Sequence, residues 1–202
     1  MTTDSVRGRP RSFDPEVALE CAMLLFWRVG YDGASVRDLG DAMGIGQTSL
    51  YGAFGDKPSL YLAAIKRFEA ASGVLDMSRL EACSSLSDGV TALLEDAVAR
   101  YTDARRPPGC MILSGWISDK PSQRKLVLKL RERRSRQVAA IGRALHGWLD
   151  ITPATDVSQY LLTHMIGLST RACDGSTTAA LRRSIPFVTA GAIAAATPHQ
   201  RP

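Results

Sequence analysis

The chain has 202 residues, with 25 Lys and Arg against 20 Asp and Glu, a formal net charge of +5 and an apolar fraction of 45%. That length holds either one large helical domain or a small domain fused to a larger one, and its apolar fraction is ordinary for a globular protein. No apolar stretch is long enough to span a bilayer and no signal-peptide pattern directs export, so a cytoplasmic protein with no membrane partner is expected; Cys21, Cys83, Cys110 and Cys173 lie too far apart for a CxxC zinc site or a disulfide scaffold.

Residues 1–12 read as a basic flexible arm, with Arg7, Arg9 and Arg11 interleaved with Gly8 and Pro10 and little to bury. Such an arm either lies in a minor groove beside a helix-turn-helix or is a solvated tail. A well-punctuated helix follows, with Asp14 as cap, Pro15 at the first helical position and Glu16 complementing the dipole. Ala18, Cys21, Ala22, Leu25, Phe26 and Val29 form its apolar stripe, and Gly30 is placed to end it.

Residues 35–57 read as two short helices around a tight turn. Ser35 and Asp38 have capping-box spacing, and Val36, Leu39, Ala42 and Met43 share one face. Gly44-Ile45-Gly46 supplies the turn. The second helix turns Leu50 and Phe54 to the core and leaves Gln47, Thr48, Ser49 and Tyr51 more exposed. This is the layout of a helix-turn-helix whose second helix enters the major groove of DNA; an ordinary helical corner is the alternative. Lys57 stands at the start of the next helix, where a cation opposes the dipole unless a phosphate binds. Tyr51 and Lys57 are therefore the candidate phosphate contacts.

The overall charge does not support this reading by itself. Up to residue 60 there are six bases and eight acids, whereas residues 100–143 hold twelve Lys and Arg against Asp103, Asp119 and Glu132. Much of the excess lies in residues 123–137, which read either as a solvated helix face or as a surface for an acidic ligand or polyanion. Further helices are expected over residues 56–71, 87–106, 110–117, 122–148, 155–173 and 177–196, the last kinked at Pro186. The fold class is all-α.

Residues 8–68 resemble the N-terminal domain of TetR-family transcriptional regulators. The matches are GRPR, the run from FDPEVAL to FWRVGYDGASVRDLGDAMGI, and SLYGAFGDKPSLY. The last is similar to the family's Leu-Tyr-x-x-Phe-x-x-Lys signature, carried here by Leu50, Tyr51, Phe54 and Lys57. PPGCMILSG and IGLSTRACDGSTTAALRRSI look like segments of one subgroup. The resemblance implies an N-terminal three-helix helix-turn-helix domain, residues 13–56, followed by a larger helical effector-binding and dimerisation domain, residues 57–202. Two departures stand out: Gly46 where many relatives cap the recognition helix with serine, and Gly52 where a bulkier residue is common. With Gly52 and Ala53 so small, base reading falls to Gln47, Thr48 and Ser49.

The resemblance also implies a homodimer built from the last long helices, with Val157, Leu161, Leu168, Leu181, Ile185, Val188 and Ala192 as interface candidates; the alternative is that these faces serve the monomer's own core. It further implies a small-molecule effector, for which Cys110, Met111, Leu113, Trp116, Tyr160, His164 and Met165 form the candidate lining. No cofactor or metal is expected, and no nucleophile elbow, Walker loop or HExxH motif suggests an enzyme. The expected function is a repressor released from a palindromic double-stranded DNA operator by a small molecule. The alternative is a redox-sensing regulator using Cys110 or Cys173, although the apolar neighbours of Cys110 favour an inert thiol.

Overall fold

A computed structural model describes residues 13–73, 77–118 and 120–197, and among them the only regular structure is helical. The described residues form ten α-helices in order: α1 (Pro15–Gly33), α2 (Val36–Met43), α3 (Gln47–Phe54), α4 (Lys57–Phe68), α5 (Met77–Glu81), α6 (Leu86–Tyr101), α7 (Arg124–Leu145), α8 (Ile151–Cys173), α9 (Thr178–Arg182) and α10 (Ile185–Ala196). A π-turn (Glu69–Gly73) extends α4, and a 3-10 turn (Pro121–Gln123) leads into α7. The helix-turn-helix head is followed by a larger helical domain.

Helix α4, which the division at residue 56 leaves to the larger domain, packs along α1 and is counted with the head from here on. Phe26 and Tyr31 meet Tyr61 edge-on at 4.9 and 5.1 Å, and Trp27 meets Phe68 at 4.8 Å, so aromatic rings set the helix separation. Arg67 of α4 ties back to Glu16 and Glu20 of α1. In the larger domain α8 is central, flanked by α7, α10 and α6. Its fully buried Val157, Leu161 and Met165 occupy the middle of that core.

Several elements depart from the periodicity-based expectation. The helix expected over residues 110–117 is a single turn, residues 111–114, followed by extended chain. One helical bond forms, from the Ser114 amide to Cys110 O at 3.0 Å, and Arg134 takes two of the following carbonyls, donating to Ile112 O at 3.0 Å and Gly115 O at 2.6 Å. Helix α8 begins at Ile151, with Pro153 inside its first turn, where a missing N–H costs nothing. The kinked final helix is two helices, α9 and α10, with Pro186 at the start of the second. Gly30 breaks α1 with φ 73°, although helical residues resume through Gly33. The short α5 carried no sequence signal that periodicity detected. The expected arm, including Arg7, Arg9 and Arg11, lies outside the described residues.

Candidate nucleic-acid interface

Local chemistry fixes the geometry of α2 and α3. The Ser35 hydroxyl accepts the amide of Asp38 at 3.1 Å, and the Asp38 carboxylate accepts the amide of Ser35 at 2.9 Å, completing the capping box. Those bonds, first the Ser35 side chain and then its backbone, hold the Asp38 carboxyl below its ordinary pKa. At the other end Gly44 is left-handed at φ 66°, and the Ile45 amide returns to Gly40 O at 3.0 Å. A Cβ on Gly40 would lie 2.9 Å from Ile45 O, so the turn can close this tightly only over glycine. Leu39 and Leu50 are both fully buried where α2 and α3 meet the core.

This arrangement presents the amino end of α3 as a rigid, exposed surface. Gln47, Thr48 and Ser49 are all exposed, and Tyr51 is 48% exposed although it is aromatic. Gly46 caps α3 without a side-chain hydrogen bond, leaving the first amides of the helix open. Gly52 faces open space. Lys57 begins α4 beside its cap Asp56, which accepts the Ser59 amide at 2.8 Å. Its ammonium sits over the Tyr31 ring, 4.4 Å from the centroid. Burial lowers the Lys57 pKa, while Asp32 and Asp38 nearby oppose that shift. Lys57 is thus half-buried and oriented.

The structure also joins the head to the larger domain through residues that sequence reasoning missed. Asp32, at the end of α1, accepts the Ser118 amide and the Gln123 side-chain amide, each at 2.8 Å, and Ser118 Oγ donates to Gln123 at 2.6 Å. Burial raises the Asp32 pKa, but these hydrogen bonds and Lys120 outweigh it, and the net shift is downward. Trp27 Nε1 donates to Pro108 O at 3.2 Å, and Ser169 Oγ of α8 accepts the Cys110 amide at 2.8 Å. Residues 108–118 therefore strap α8 to α1.

Cys110, Met111, Leu113 and Met165 are buried, Tyr160 and His164 are half-buried, and Trp116 is 78% exposed. Of the seven, only His164 lines a described cleft, an opening of about 410 Å³ between α8, α9 and α10 that also touches Thr163, Arg171 and Ser184. Val157, Leu161, Leu168, Leu181, Ile185, Val188 and Ala192 are all buried in the protomer's own core. The outward surface beside them carries Phe187, 78% exposed, with Ala190 and Ala194. Burial pushes the Cys110 thiol pKa up, against the amides of Leu113 and Ile112 that favour a thiolate. Cys173 is exposed, and its thiol faces Pro108 O at 3.4 Å.

Among the described residues no helix is long and apolar enough to cross a membrane, and no cluster of metal-binding side chains occurs. Residues 18–64 match the family model for bacterial regulatory proteins of the tetR family. The chain is 32% identical over 131 residues to the HTH-type transcriptional regulator YezE of Bacillus subtilis, spanning 65% of this chain and 67% of that one. It is 29% identical over 170 residues to the HTH-type transcriptional repressor BdcR of Escherichia coli, 84% of each chain. The TetR family transcriptional regulator CifR, solved as a cysteine mutant with a 26-bp double-strand operator DNA, shares the fold with a TM-score of 0.83. That match is 30% identical and covers 91% of this chain and 98% of CifR. These relatives are transcriptional regulators, not enzymes.

Proposed function

Because the chain belongs to the TetR family of DNA-binding transcriptional regulators, we propose that it is a cytoplasmic homodimeric repressor, released from a palindromic operator by a small molecule. The observation that carries the reading is the exposed amino end of α3, held rigidly by the Ser35–Asp38 box and the Gly40–Ile45 closure. Gln47, Thr48 and Ser49 read base edges, with Gln47 suited to an adenine edge and the Thr48 methyl to a thymine methyl. Tyr51 and Lys57 hold phosphates, and the arm with Arg7, Arg9 and Arg11 reaches the minor groove.

Two copies are needed to read a two-fold site, with recognition helices roughly 34–36 Å apart. The pairing surface is the outward face of α8 and α10, where Phe187 projects and Ala190 and Ala194 allow close helix approach. The effector site is the cleft at the edge of that face, where His164, Arg171 and Ser184 supply polar handles on an apolar floor of Leu168, Leu181 and Val188. An occupant there touches the helices that set protomer spacing, and it shifts DNA affinity only by its preference for one spacing over another.

Selection of binding sites from a random DNA pool, at a stated salt concentration, tests the core of this reading. Recovery of one short palindrome supports a dimeric operator binder, and compounds can then be screened for its release. A folded dimer that selects no motif overturns it. A ligand sensor keeps its operator affinity with or without reductant and after Cys110→Ser; loss of affinity on oxidation favours the thiol alternative, with exposed Cys173 as its reactive group.

A further inference from the structure

The head is poorly charged for the ligand it binds. Residues 13–68 hold Arg28, Arg37, Lys57, Lys66 and Arg67 as bases, against Asp14, Glu16, Glu20, Asp32, Asp38, Asp41 and Asp56, and Arg67 is paired with Glu16 and Glu20. Arg37 lies 3.9 Å from Asp41, and Lys57 is stacked on Tyr31. Phosphate contacts dominate affinity for DNA, and this head has few cations to make them.

The missing charge stands next to it, on the larger domain. The grip of Ser118 and Gln123 on Asp32 docks the turn before α7 against the end of α1. The Gln123 backbone N–H donates to Lys120 O at 2.8 Å, so Lys120, Arg124 and Lys125 are carried to the flank of the head. Lys120 is close enough to act electrostatically on Asp32 and Lys57, and Lys125 on Asp56, the cap of α4. All three are exposed, and none forms an ion pair among the described residues. Further along α7, Arg133 is engaged with Glu69 at 3.2 Å, Arg134 with two carbonyls, and Lys129 and Arg136 with Glu132, whereas exposed Arg131 and Arg143 lie beyond the turn that docks on the head. Cations in the first turn of α7 also weaken that helix, so helix stability does not account for them.

We infer that Lys120, Arg124 and Lys125 form an accessory site for DNA phosphates, continuing the interface from Lys57 at the start of α4 onto the larger domain. The contacts are made by side-chain ammonium and guanidinium groups and carry no sequence preference. The Asp32 carboxylate, which would otherwise repel the backbone here, is turned to its hydrogen-bond donors. This inference rests on the head being the DNA-reading unit.

The test compares the full-length protein with Lys120→Ala/Arg124→Ala/Lys125→Ala and with the charge-keeping Lys120→Arg/Arg124→Lys/Lys125→Arg. Operator affinity is measured by fluorescence anisotropy at several salt concentrations, on the selected duplex with long and with trimmed flanks. The alanine variant should lower the slope of log affinity against log salt by about 0.9 for each phosphate that is no longer neutralised. It should bind ~10-fold or more weakly at low salt, keep the same selected motif, and show no deficit once the flanks are trimmed. The charge-keeping variant should retain the wild-type slope. An alanine variant with unchanged slope and affinity overturns the inference while leaving the head's role intact. A deficit seen only for release by an acidic effector also overturns it, and assigns the patch to that ligand. Wild-type protein that binds no duplex refutes the DNA-reading head itself. Lys125→Glu alone, at one exposed position, gives the same readout if the triple variant folds poorly.

Discussion

Arg134→Met should destabilise the protein by about 2–3 kcal/mol, because Arg134 replaces a helix that residues 110–117 do not form. Methionine keeps most of the apolar stem and removes only the donors. The guanidinium donates at 3.0 Å to Ile112 O and at 2.6 Å to Gly115 O, and burial lowers its pKa. Hydrogen bonds from a charged donor contribute roughly 1.5–3 kcal/mol each. The two carbonyls differ in what happens once the donor is gone. Ile112 is only 1% exposed, so its carbonyl is left dry at a cost of about 1–3 kcal/mol, whereas half-buried Gly115 can be rehydrated. The sum is therefore nearer one bond than two. Urea unfolding at fixed protein concentration should show the midpoint falling by about 1 M, taking a slope of about 2 kcal/mol/M. Arg134→Lys, with a single ammonium, should recover less than half of the loss. A change below about 0.5 kcal/mol in Arg134→Met would show that water satisfies both carbonyls, and that the strap has another origin.

Gln47→Ala should relax selection at one base pair, with about 1–3 kcal/mol less discrimination there and little change elsewhere; an identical selected motif removes Gln47 from the readers. Phe187→Arg should give a folded monomer, since Phe187 is 78% exposed in the protomer; light scattering that still finds a dimer places the interface elsewhere. Asp38 and Asp56 have carboxyl pKa values lowered by hydrogen bonds from Ser35 and Ser59. Their stabilising effect is present above the unfolded carboxylate pKa of about 3.9 and is lost as pH falls through the lower folded values. Melting temperature should thus drop through that acid range, and Asp38→Asn should flatten the drop; a parallel curve for this variant means that the box does not titrate with folding. Gly46→Ser should add a cap to α3 worth a few tenths of a kcal/mol, since a Cβ there meets nothing within 4 Å; no gain in melting temperature would show that the open amides are already well solvated.

The reading head was legible because its signals are local. Ser35 and Asp38 are three residues apart, Gly44 follows its helix directly, and Leu39 and Leu50 fall on faces that a period of 3.6 picks out. The junction was not legible, since Asp32 meets Ser118 and Gln123 across 86 and 91 residues and Trp27 meets Pro108 across 81. No periodicity links such partners. The α8 and α10 faces were legible only in part. Periodicity identified Val157, Leu161, Val188 and Ala192 as buried, but it cannot say whether the covering surface belongs to the same chain. In α10 the ambiguity is greatest, because nearly every position from Ile185 to Ala196 is apolar or small and the helix has no polar face to orient it. The turn at residues 111–114 misread as a helix for a third reason: its pattern is apolar, but a side chain 19 to 22 residues away satisfies its carbonyls.

The distribution of charge bears on how release from DNA would be achieved. An acidic head gains little from non-specific phosphate attraction, so if α3 reads base edges as proposed, more of its binding depends on those contacts being correct. If the neighbouring cations of the larger domain supply the missing phosphate contacts, their number depends on how that domain sits against the head. That position is set by Asp32 and by the strap running from α8 through Ser169 and Pro108 to Trp27. A ligand that displaces α8 then acts on two terms together: the spacing of the two recognition helices and the count of phosphates neutralised. The two terms separate experimentally, because changing the spacing alone lowers affinity at every salt concentration by one factor, whereas neutralising fewer phosphates also lowers the salt slope. Effector-bound protein showing a reduced slope would mean that the larger domain has left the DNA backbone; weaker binding with an unchanged slope would assign the whole effect to the spacing of the heads.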